Sequence, residues 1–307
     1  MRGAAVKRIA RLLVAVGLTA GLIGAPGAGA EVRAAATTVS FVAHQDDDLL
    51  FMNPDILTDI RNGDNVWVVY LTAGELPCGE GYPVCGMEYA QKRIEGVRAA
   101  YAKAANKPNV PGSWVYEAMT FNGREVATNR LDGTNVRLVF TYMHAAGGSD
   151  QCGDLARMVR DAAYVARPID GRASYTRASF VGMLRSIINT ARPSLVRTQN
   201  SLGHRDGDRD HVDHIAGAIL TADADADATS RTAVRRQEYL GYVIRGYGEN
   251  VFGADRTAKT EVWDEYWPHD FALGPDHWRN EMGKQYRPDG RYFPTGHLWI
   301  PPGDFGC

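Results

Sequence analysis

The chain has 307 residues, of which 45% are hydrophobic and 23% are charged. These values are typical of globular proteins and exclude a fibrous or wholly disordered chain. Residues 1–30 hold four basic residues and no acid, and without them the chain has 30 lysines and arginines against 36 acidic residues. This acidic excess argues against a surface that binds nucleic acid or an anionic membrane.

The N-terminus has the three-part pattern of a secretory signal peptide. Basic residues up to Arg11 precede an apolar run over residues 12–23, and small residues follow up to Ala30. The pattern predicts cleavage after Ala30, or as late as Ala36, and a secreted mature protein. The apolar run is short for a membrane span, so we expect no membrane association of the mature form. An uncleaved membrane anchor is the alternative.

Export to an oxidising compartment predicts that the four cysteines form disulfides. We expect Cys78 to pair with Cys85, which closes a short loop, and Cys152 to pair with the C-terminal Cys307. The other connectivities remain open. A zinc site made of all four cysteines is the rival interpretation, but the chain lacks the C-x-x-C spacing that such sites usually have.

Strand-like and helix-like segments alternate from Thr37 onward, which predicts an α/β fold. The first predicted elements, in chain order, are a strand over residues 39–43, a helix over 52–61, a strand over Asn65–Thr72 and a helix over 87–105. The second strand is continuously apolar, as is typical of a strand buried on both faces of a parallel sheet.

The middle and the tail of the chain are less regular. In the middle, the sequence predicts strands over Trp114–Phe121 and Val136–Met143 with a turn-rich connection between them, followed by a surface insertion over 149–172. A helix over 175–190 and a strand over 194–199 come next, and a further helix runs from the cluster at 206–214 to about Leu220. The last predictions are a solvated helix end or loop over 222–228 and a strand over 235–247. We expect one domain over residues 37–307, with a mostly parallel, Rossmann-like sheet flanked by helices. Its core would span about 39–247, and an aromatic-rich extension about 248–307.

One imidazole and three carboxylates follow the first predicted strand, in the run Ala43-His44-Gln45-Asp46-Asp47-Asp48. Open α/β sheets build their sites at the carboxyl ends of strands. A turn beginning at Gln45 would bring Asp47 to the side of His44, where both could bind one divalent metal ion. Asp46 would then be a free carboxylate beside that metal, which suits a general base. Taken alone, such an acidic run is more often a helix cap or a solvated turn.

The second cluster, Asp210-His211-Val212-Asp213-His214, opens a predicted helix. His211 and His214 are three residues apart and share a helix face, so one can bind the metal while the other hydrogen-bonds the substrate. Asp213 can orient a histidine through its ring nitrogen. A calcium-binding EF-hand loop beginning at Asp206 is excluded, because it would need glycine at position 211 and glutamate at position 217.

The two clusters together resemble the motifs of the PIG-L/LmbE-like zinc-dependent N-acetylglucosamine deacetylases. The segment Leu71-Thr72-Ala73-Gly74-Glu75 and the helix that carries Arg93 and Glu95 are also similar to that family. The resemblance covers about residues 39–220 and implies an LmbE-like fold.

The resemblance also implies the roles of the site residues. One Zn²⁺ per chain would be bound by His44, Asp47 and His214, with Asp46 as the general base. His211 would stabilise the oxyanion, supported by Asp213. We further expect Arg93 and Tyr142 to contact the substrate. The family's usual first motif is Ala-His-Pro-Asp-Asp-Glu, so here Gln45 replaces proline and Asp48 replaces glutamate.

The implied reaction is hydrolysis of the acetamide of a small-molecule N-acetylglucosaminyl conjugate, which releases acetate and a free amine. The signal peptide, the acidic surface and the aromatic tail suggest the branch that acts on glycopeptide-antibiotic pseudoaglycones, in antibiotic biosynthesis. Another metal-dependent amidase or a phosphoesterase is one alternative. A non-catalytic, secreted sugar-binding protein is another, but it predicts loss of the base or of a ligand, and none is missing.

Overall fold

A computed structural model describes residues 34–148, 150–201, 203–204, 210–229, 235–288 and 299–300. Within these ranges, the residues from Ala35 onward form one compact unit. Its strands are β1 (Thr37–Val42), β2 (Asn65–Thr72), β3 (Trp114–Phe121), β4 (Arg124–Leu131), β5 (Val136–Met143), β6 (Leu195–Gln199), β7 (Gly203–His204), β8 (Arg235–Tyr239) and β9 (Trp299–Ile300).

Seven of these strands form one sheet, in the order β3-β4-β5-β2-β1-β6-β8, and β7 pairs with β9 separately. Strands β5, β2, β1, β6 and β8 run parallel, whereas β3 and β4 add an antiparallel hairpin at one edge. Strand order reverses at β1, because β2 lies on one side of it and β6 on the other. A crevice forms at the carboxyl end of such a switch-point strand, and ligands bind there.

Helices cover both faces of the sheet. The helices are α1 (Asp55–Arg61), α2 (Gly86–Ala104), α3 (Gly153–Arg160), α4 (Arg177–Ala191), α5 (Val212–Ala226) and α6 (Gly253–Tyr266). Alternate residues of β2 face opposite layers, with Val68 and Tyr70 packed among α1, α2 and α6, and Val69 and Leu71 among α3, α4 and α5. These two apolar cores make a three-layer α/β domain and confirm the predicted fold class.

Two local predictions in the middle of the chain are wrong. The turn-rich connection between β3 and β5 contains β4, whose Ala127 and Thr128 are buried. The segment 149–172 is not a surface insertion, because α3 packs against α5 and buries Leu155 and Met158. The apolar face of α3 is only two turns long, which leaves a weak helical pattern in the sequence.

Helix boundaries also differ from the predictions. The predicted helix over 52–61 is a π-helical turn at Asp48–Met52 followed by α1, because Pro54 holds Asn53 in an extended conformation. Helix α5 continues through the Ala-Asp repeat to Ala226, past the predicted end near Leu220. The last predicted strand stops at Tyr239, and residues Tyr242–Gly246 form a 3₁₀ turn.

The C-terminal extension contributes a helix to the core. Helix α6 buries Val262, Trp263 and Tyr266 against the layer that holds α2. Of the described aromatic residues in this extension, Trp263, Tyr266 and Tyr286 are buried in the core, whereas Phe252 and Phe271 are exposed. Lys259 of α6 is also buried, and its Nζ donates hydrogen bonds to three backbone carbonyls, including that of Leu50 at 2.6 Å.

The predicted Cys78–Cys85 disulfide is present, with an S–S distance of 2.02 Å. Cys307 lies outside the described residues, so its pairing with Cys152 stays a prediction. The predicted signal peptide, residues 1–30, also lies outside them and stays a prediction. Within the described ranges, the helices are too short or too polar to cross a bilayer.

Candidate active site

The candidate site lies at the carboxyl end of β1, the strand at which the strand order of the sheet reverses. The loop after β1 carries His44, Asp46 and Asp47, all of them buried. Hydrogen bonds hold this loop to the end of β2: among them, Thr72 Oγ1 donates to the carbonyl of Ala43 at 2.8 Å, and Gln45 Nε2 donates to the carbonyl of Ala73 at 3.0 Å. The glutamine that replaces the family's proline therefore anchors the loop through its side chain.

The three predicted metal ligands meet around the carboxylate of Asp47. Its Oδ2 lies 3.3 Å from Nδ1 of His44, and its Oδ1 lies 2.9 Å from Nε2 of His214. The backbone N–H of His44 also donates to Oδ2 at 2.6 Å, which fixes the carboxylate. The structure thus brings together two imidazoles and one carboxylate that lie far apart in the sequence.

In His44 and His214, the ring nitrogen that points away from Asp47, here called the outer nitrogen, lies beside a second carboxylate. Nε2 of His44 lies 3.2 Å from Oδ2 of Asp213, and Nδ1 of His214 lies 2.7 Å from Oδ1 of Asp210. Because a carboxylate accepts hydrogen bonds, a proton on each of these outer nitrogens would leave the inner nitrogen, which faces Asp47, available to bind a metal ion. This is how metal-binding histidines are usually oriented in proteins. Asp213 was expected beside His211, and Asp210 was not assigned a role from the sequence.

The residues present fit a divalent metal ion. Asp47 Oδ1 and His214 Nε2 are buried and lie 2.9 Å apart without the alignment of a hydrogen bond, and among the residues that the structure describes neither atom has another hydrogen-bond partner. Burial by itself lowers the pKa of His44, but the nearby Asp47 and Asp213 raise it to about 9. Burial likewise opposes the charged form of Asp47, yet the two imidazoles hold its pKa well below its usual range. Such a centre stabilises positive charge, as a cation site requires.

His211 belongs to the same cluster but differs in its hydrogen bonding. The backbone N–H of Asp213 donates to Nδ1 of His211 at 3.2 Å, so a neutral His211 carries its ring proton on Nε2. Burial and the neighbouring His44 lower the pKa of His211 to about 4, which keeps the ring neutral. Its Nε2–H is therefore a donor. The ligand atoms of His44, His211 and His214 also lie within 4.8 Å of one another, so geometry offers a three-histidine set as well.

Asp46 is held by an arginine rather than by the predicted metal ligands. Arg93 of α2 donates to Asp46 Oδ1 at 2.7 Å and to the carbonyl of Gly74 at 2.9 Å. Arg93 Nε lies 2.8 Å from Tyr266 Oη and 3.1 Å from Asp270 Oδ2. Burial raises the pKa of Asp46, and the charge of Arg93 opposes that rise. The residue predicted to bind substrate thus positions the predicted base.

The carboxylate of Asp48 lies behind the site. Tyr101 and Tyr70 donate hydrogen bonds to its Oδ2 at 2.5 and 3.0 Å. Burial raises the pKa of Asp48 to about 7. Through these two hydrogen bonds, Asp48 connects the loop after β1 to β2 and α2. Its carboxylate does not face the cavity described next.

The cavity above these groups, here called the inner cavity, has a volume of about 210 Å³. His44, Asp46, His211, Arg93 and Glu75 line it, and the tail adds further walls, among them Tyr242, Asp270 and Trp278. Tyr242 and Trp278 stack with ring centroids 5.2 Å apart. Tyr142 is not among the described lining residues, and its ring packs beside Phe140 in the core. Sequence reasoning missed Tyr242, because no motif marks it.

Comparison with known families identifies the chain. The family described as "PIG-L: GlcNAc-PI de-N-acetylase" matches residues 39–224, which include both clusters. The chain belongs to the PIG-L family. The PIG-L family is a family of metal-dependent deacetylases, so the protein belongs to this class of enzyme. No curated protein matches the chain.

Several solved structures are similar to this PIG-L protein at low sequence identity. N,N'-diacetylchitobiose deacetylase from Pyrococcus horikoshii is 13% identical, with 89% of this chain and 86% of that one covered and a TM-score of 0.46. A deacetylase of teicoplanin biosynthesis is 16% identical, with 80% and 89% covered and a TM-score of 0.45. GalB, a 4-carboxy-2-hydroxymuconate hydratase from Pseudomonas putida KT2440, is 14% identical, with 80% and 82% covered and a TM-score of 0.45.

Proposed function

We propose that the protein is a zinc-dependent deacetylase that hydrolyses the acetamide of an N-acetylglucosaminyl conjugate. The observation that carries the proposal is the convergence of His44, Asp47 and His214, with a carboxylate behind each histidine. Two nitrogens and one oxygen are one of the donor sets that hold catalytic zinc in proteins, with a further coordination position open to substrate or water. Zinc held there would polarise the acetyl carbonyl and acidify water.

The chain's own residues supply the proton transfers. Arg93 contacts Asp46 at Oδ1, so the other carboxylate oxygen can accept a proton from the attacking water. The raised pKa of Asp46 suits a group that must take up this proton and pass it to the departing amine. The Nε2–H of His211 can donate to the oxyanion as negative charge develops on the acetyl oxygen.

For the natural substrate we propose a glycosylated secondary metabolite, such as a glycopeptide-antibiotic pseudoaglycone, and we propose that the enzyme is secreted. The stacked Tyr242 and Trp278 in the cavity wall support a substrate with flat apolar faces. The signal-peptide pattern of residues 1–30 supports secretion.

The proposal is tested by acetate release from a panel of N-acetylglucosaminyl conjugates and phosphorylated sugars. The protein is stripped with a chelator, reloaded with Zn²⁺, and assayed in each state. We expect acetate only from the reloaded protein, together with an equal amount of free amine. Phosphate release in place of acetate, or no acetate from fully zinc-loaded protein, would reject the proposed reaction.

A further inference from the structure

A second cavity adjoins the inner cavity on the side of the disulfide loop. This outer cavity has a volume of about 350 Å³ and is lined by Leu76, Pro77, Cys78, His144, Asp150 and Ile169, among others. Glu75, Leu76, Ala145 and Gly147 line both cavities. The two cavities are therefore adjacent, and a molecule bound at the metal site can extend toward the outer cavity.

The polar groups of the outer cavity already have protein partners. Glu75 Oε1 lies 2.7 Å from Nδ1 of His144, and both carboxylate oxygens of Glu75 accept hydrogen bonds from the backbone N–H of Ala145. Asp150 binds both terminal nitrogens of Arg157, each at 2.7 Å. The cavity surface that is left to contact a ligand is therefore mainly apolar, and such a surface favours binding of an apolar group.

Gly147 lines both cavities and has open space beside its backbone. A Cβ atom built at this position would meet no atom within 4 Å, and the backbone there does not have a positive φ. The inner cavity, at about 210 Å³, is smaller than the range of roughly 300–1,000 Å³ that is usual for pockets of drug-sized ligands. The inner cavity has room for one acetamido sugar, so the rest of a larger substrate must lie outside it.

We propose that the outer cavity is the subsite for an apolar aglycone, aryl or alkyl, attached to the acetamido sugar. The inference rests on the proposed deacetylase function and adds the substrate class that this chain selects. Leu76, Pro77 and Ile169 contact the aglycone, while the sugar occupies the inner cavity.

The test compares the methyl, octyl and 4-nitrophenyl β-glycosides of N-acetylglucosamine with the zinc-loaded full-length protein. Binding of an octyl or aryl group in the outer cavity removes about 100 Å² or more of apolar surface from water, so we expect kcat/KM at least about tenfold above that of the methyl glycoside. A preference for only one of the two groups would identify the aglycone as aryl or alkyl. Equal kcat/KM for all three glycosides would overturn the subsite while leaving deacetylation intact.

Ile169→Asn places a polar group in the outer cavity and tests its location. We expect the ratio of kcat/KM for the octyl over the methyl glycoside to fall by about fivefold or more, because the apolar contact is lost. Val165→Asn is the matched control: Val165 lies in the same segment, is 43% exposed, and is outside the described cavity lining. An unchanged ratio in folded Ile169→Asn protein, checked by thermal melting, would contradict the assignment.

Equilibrium binding separates this inference from the proposed function. If no glycoside releases acetate, the deacetylase proposal fails, and calorimetric titration of the same three glycosides still decides the subsite. Tighter binding of the octyl or aryl glycoside, weakened by Ile169→Asn, would support it. Equal binding of the three glycosides, or no binding, would reject it.

Discussion

Asp213 Oδ2 lies 3.2 Å from Nε2 of His44 and 3.7 Å from Nδ1 of His211, so this carboxylate is within hydrogen-bonding distance of His44 and not of His211. Asp213 also accepts a hydrogen bond from the backbone N–H of Ala146 at 2.7 Å, which holds it in place. The carboxylate fixes the His44 ring and makes its inner nitrogen more basic. In the proposed zinc site, Asp213 would therefore contribute to metal binding.

Asp213→Asn should weaken zinc binding by about 10–100-fold, because the neutral amide supports the His44 ring less well. A competition titration against a chromophoric chelator measures the affinity. Asp223→Asn is the control, since Asp223 lies on the same helix and pairs with Arg177 near the surface. If zinc affinity were unchanged, the contact of Asp213 with His44 would have no part in metal binding.

Asp46→Asn should retain zinc and lose about 10²–10⁴-fold in kcat, because the amide cannot accept the proton of the attacking water. Asp47→Ala should instead release zinc, since Asp47 contacts both His44 and His214. Metal content by mass spectrometry and acetate release distinguish the two variants. Normal turnover by Asp46→Asn would remove it from the role of base.

His211→Ala should keep its metal and lose about 10²–10³-fold in kcat, the usual cost of removing one oxyanion donor. The Nδ1 atom of His211 accepts a backbone hydrogen bond, which leaves Nε2–H as the donor. Zinc content is measured beside kcat. A loss of zinc would show that His211 is a ligand, within the three-histidine set that the geometry also allows.

Lys259→Met should lower the free energy of unfolding by about 2–4 kcal/mol, because buried carbonyls lose their donor. Lys259 Nζ donates to the carbonyls of Leu50, Glu281 and Lys284 at 2.6, 3.0 and 2.6 Å. Urea unfolding followed by circular dichroism measures the change. Lys103→Met, at a half-exposed site, should change stability little. A similar small effect for Lys259→Met would mean that water replaces its hydrogen bonds.

Strand ends and motif spacing were sufficient to predict where the site forms. Parallel strands bring their carboxyl ends to one edge, so His44 and His214 could be expected to converge despite their separation in sequence. The partners of the histidines' outer nitrogens were harder to predict. Asp210 precedes His214 by four residues, a spacing that signals a possible contact, whereas the contact of Asp213 with His44 depends on tertiary packing.

The missed elements have two physical causes, one for strand β4 and another for helices α3 and α6. Strand β4 lies between two turn signals, Asn122-Gly123 and Asp132-Gly133, and these signals mark the two ends of a hairpin strand rather than one long loop. Helices α3 and α6 bury short apolar stripes among polar residues. Packing against the sheet decides their structure, and a single sequence shows that packing only weakly.

The salt bridge between Arg93 and Asp270 has a consequence for protein engineering. The family match ends at residue 224, yet Tyr242, Tyr266 and Asp270 lie beyond it and surround Arg93 or the inner cavity. A truncation at that point would keep every proposed zinc ligand and remove Tyr266 and Asp270, which hold Arg93 beside the proposed base Asp46. A chimera that joins this core to a foreign tail would therefore have to restore an acid opposite Arg93 before it could regain turnover.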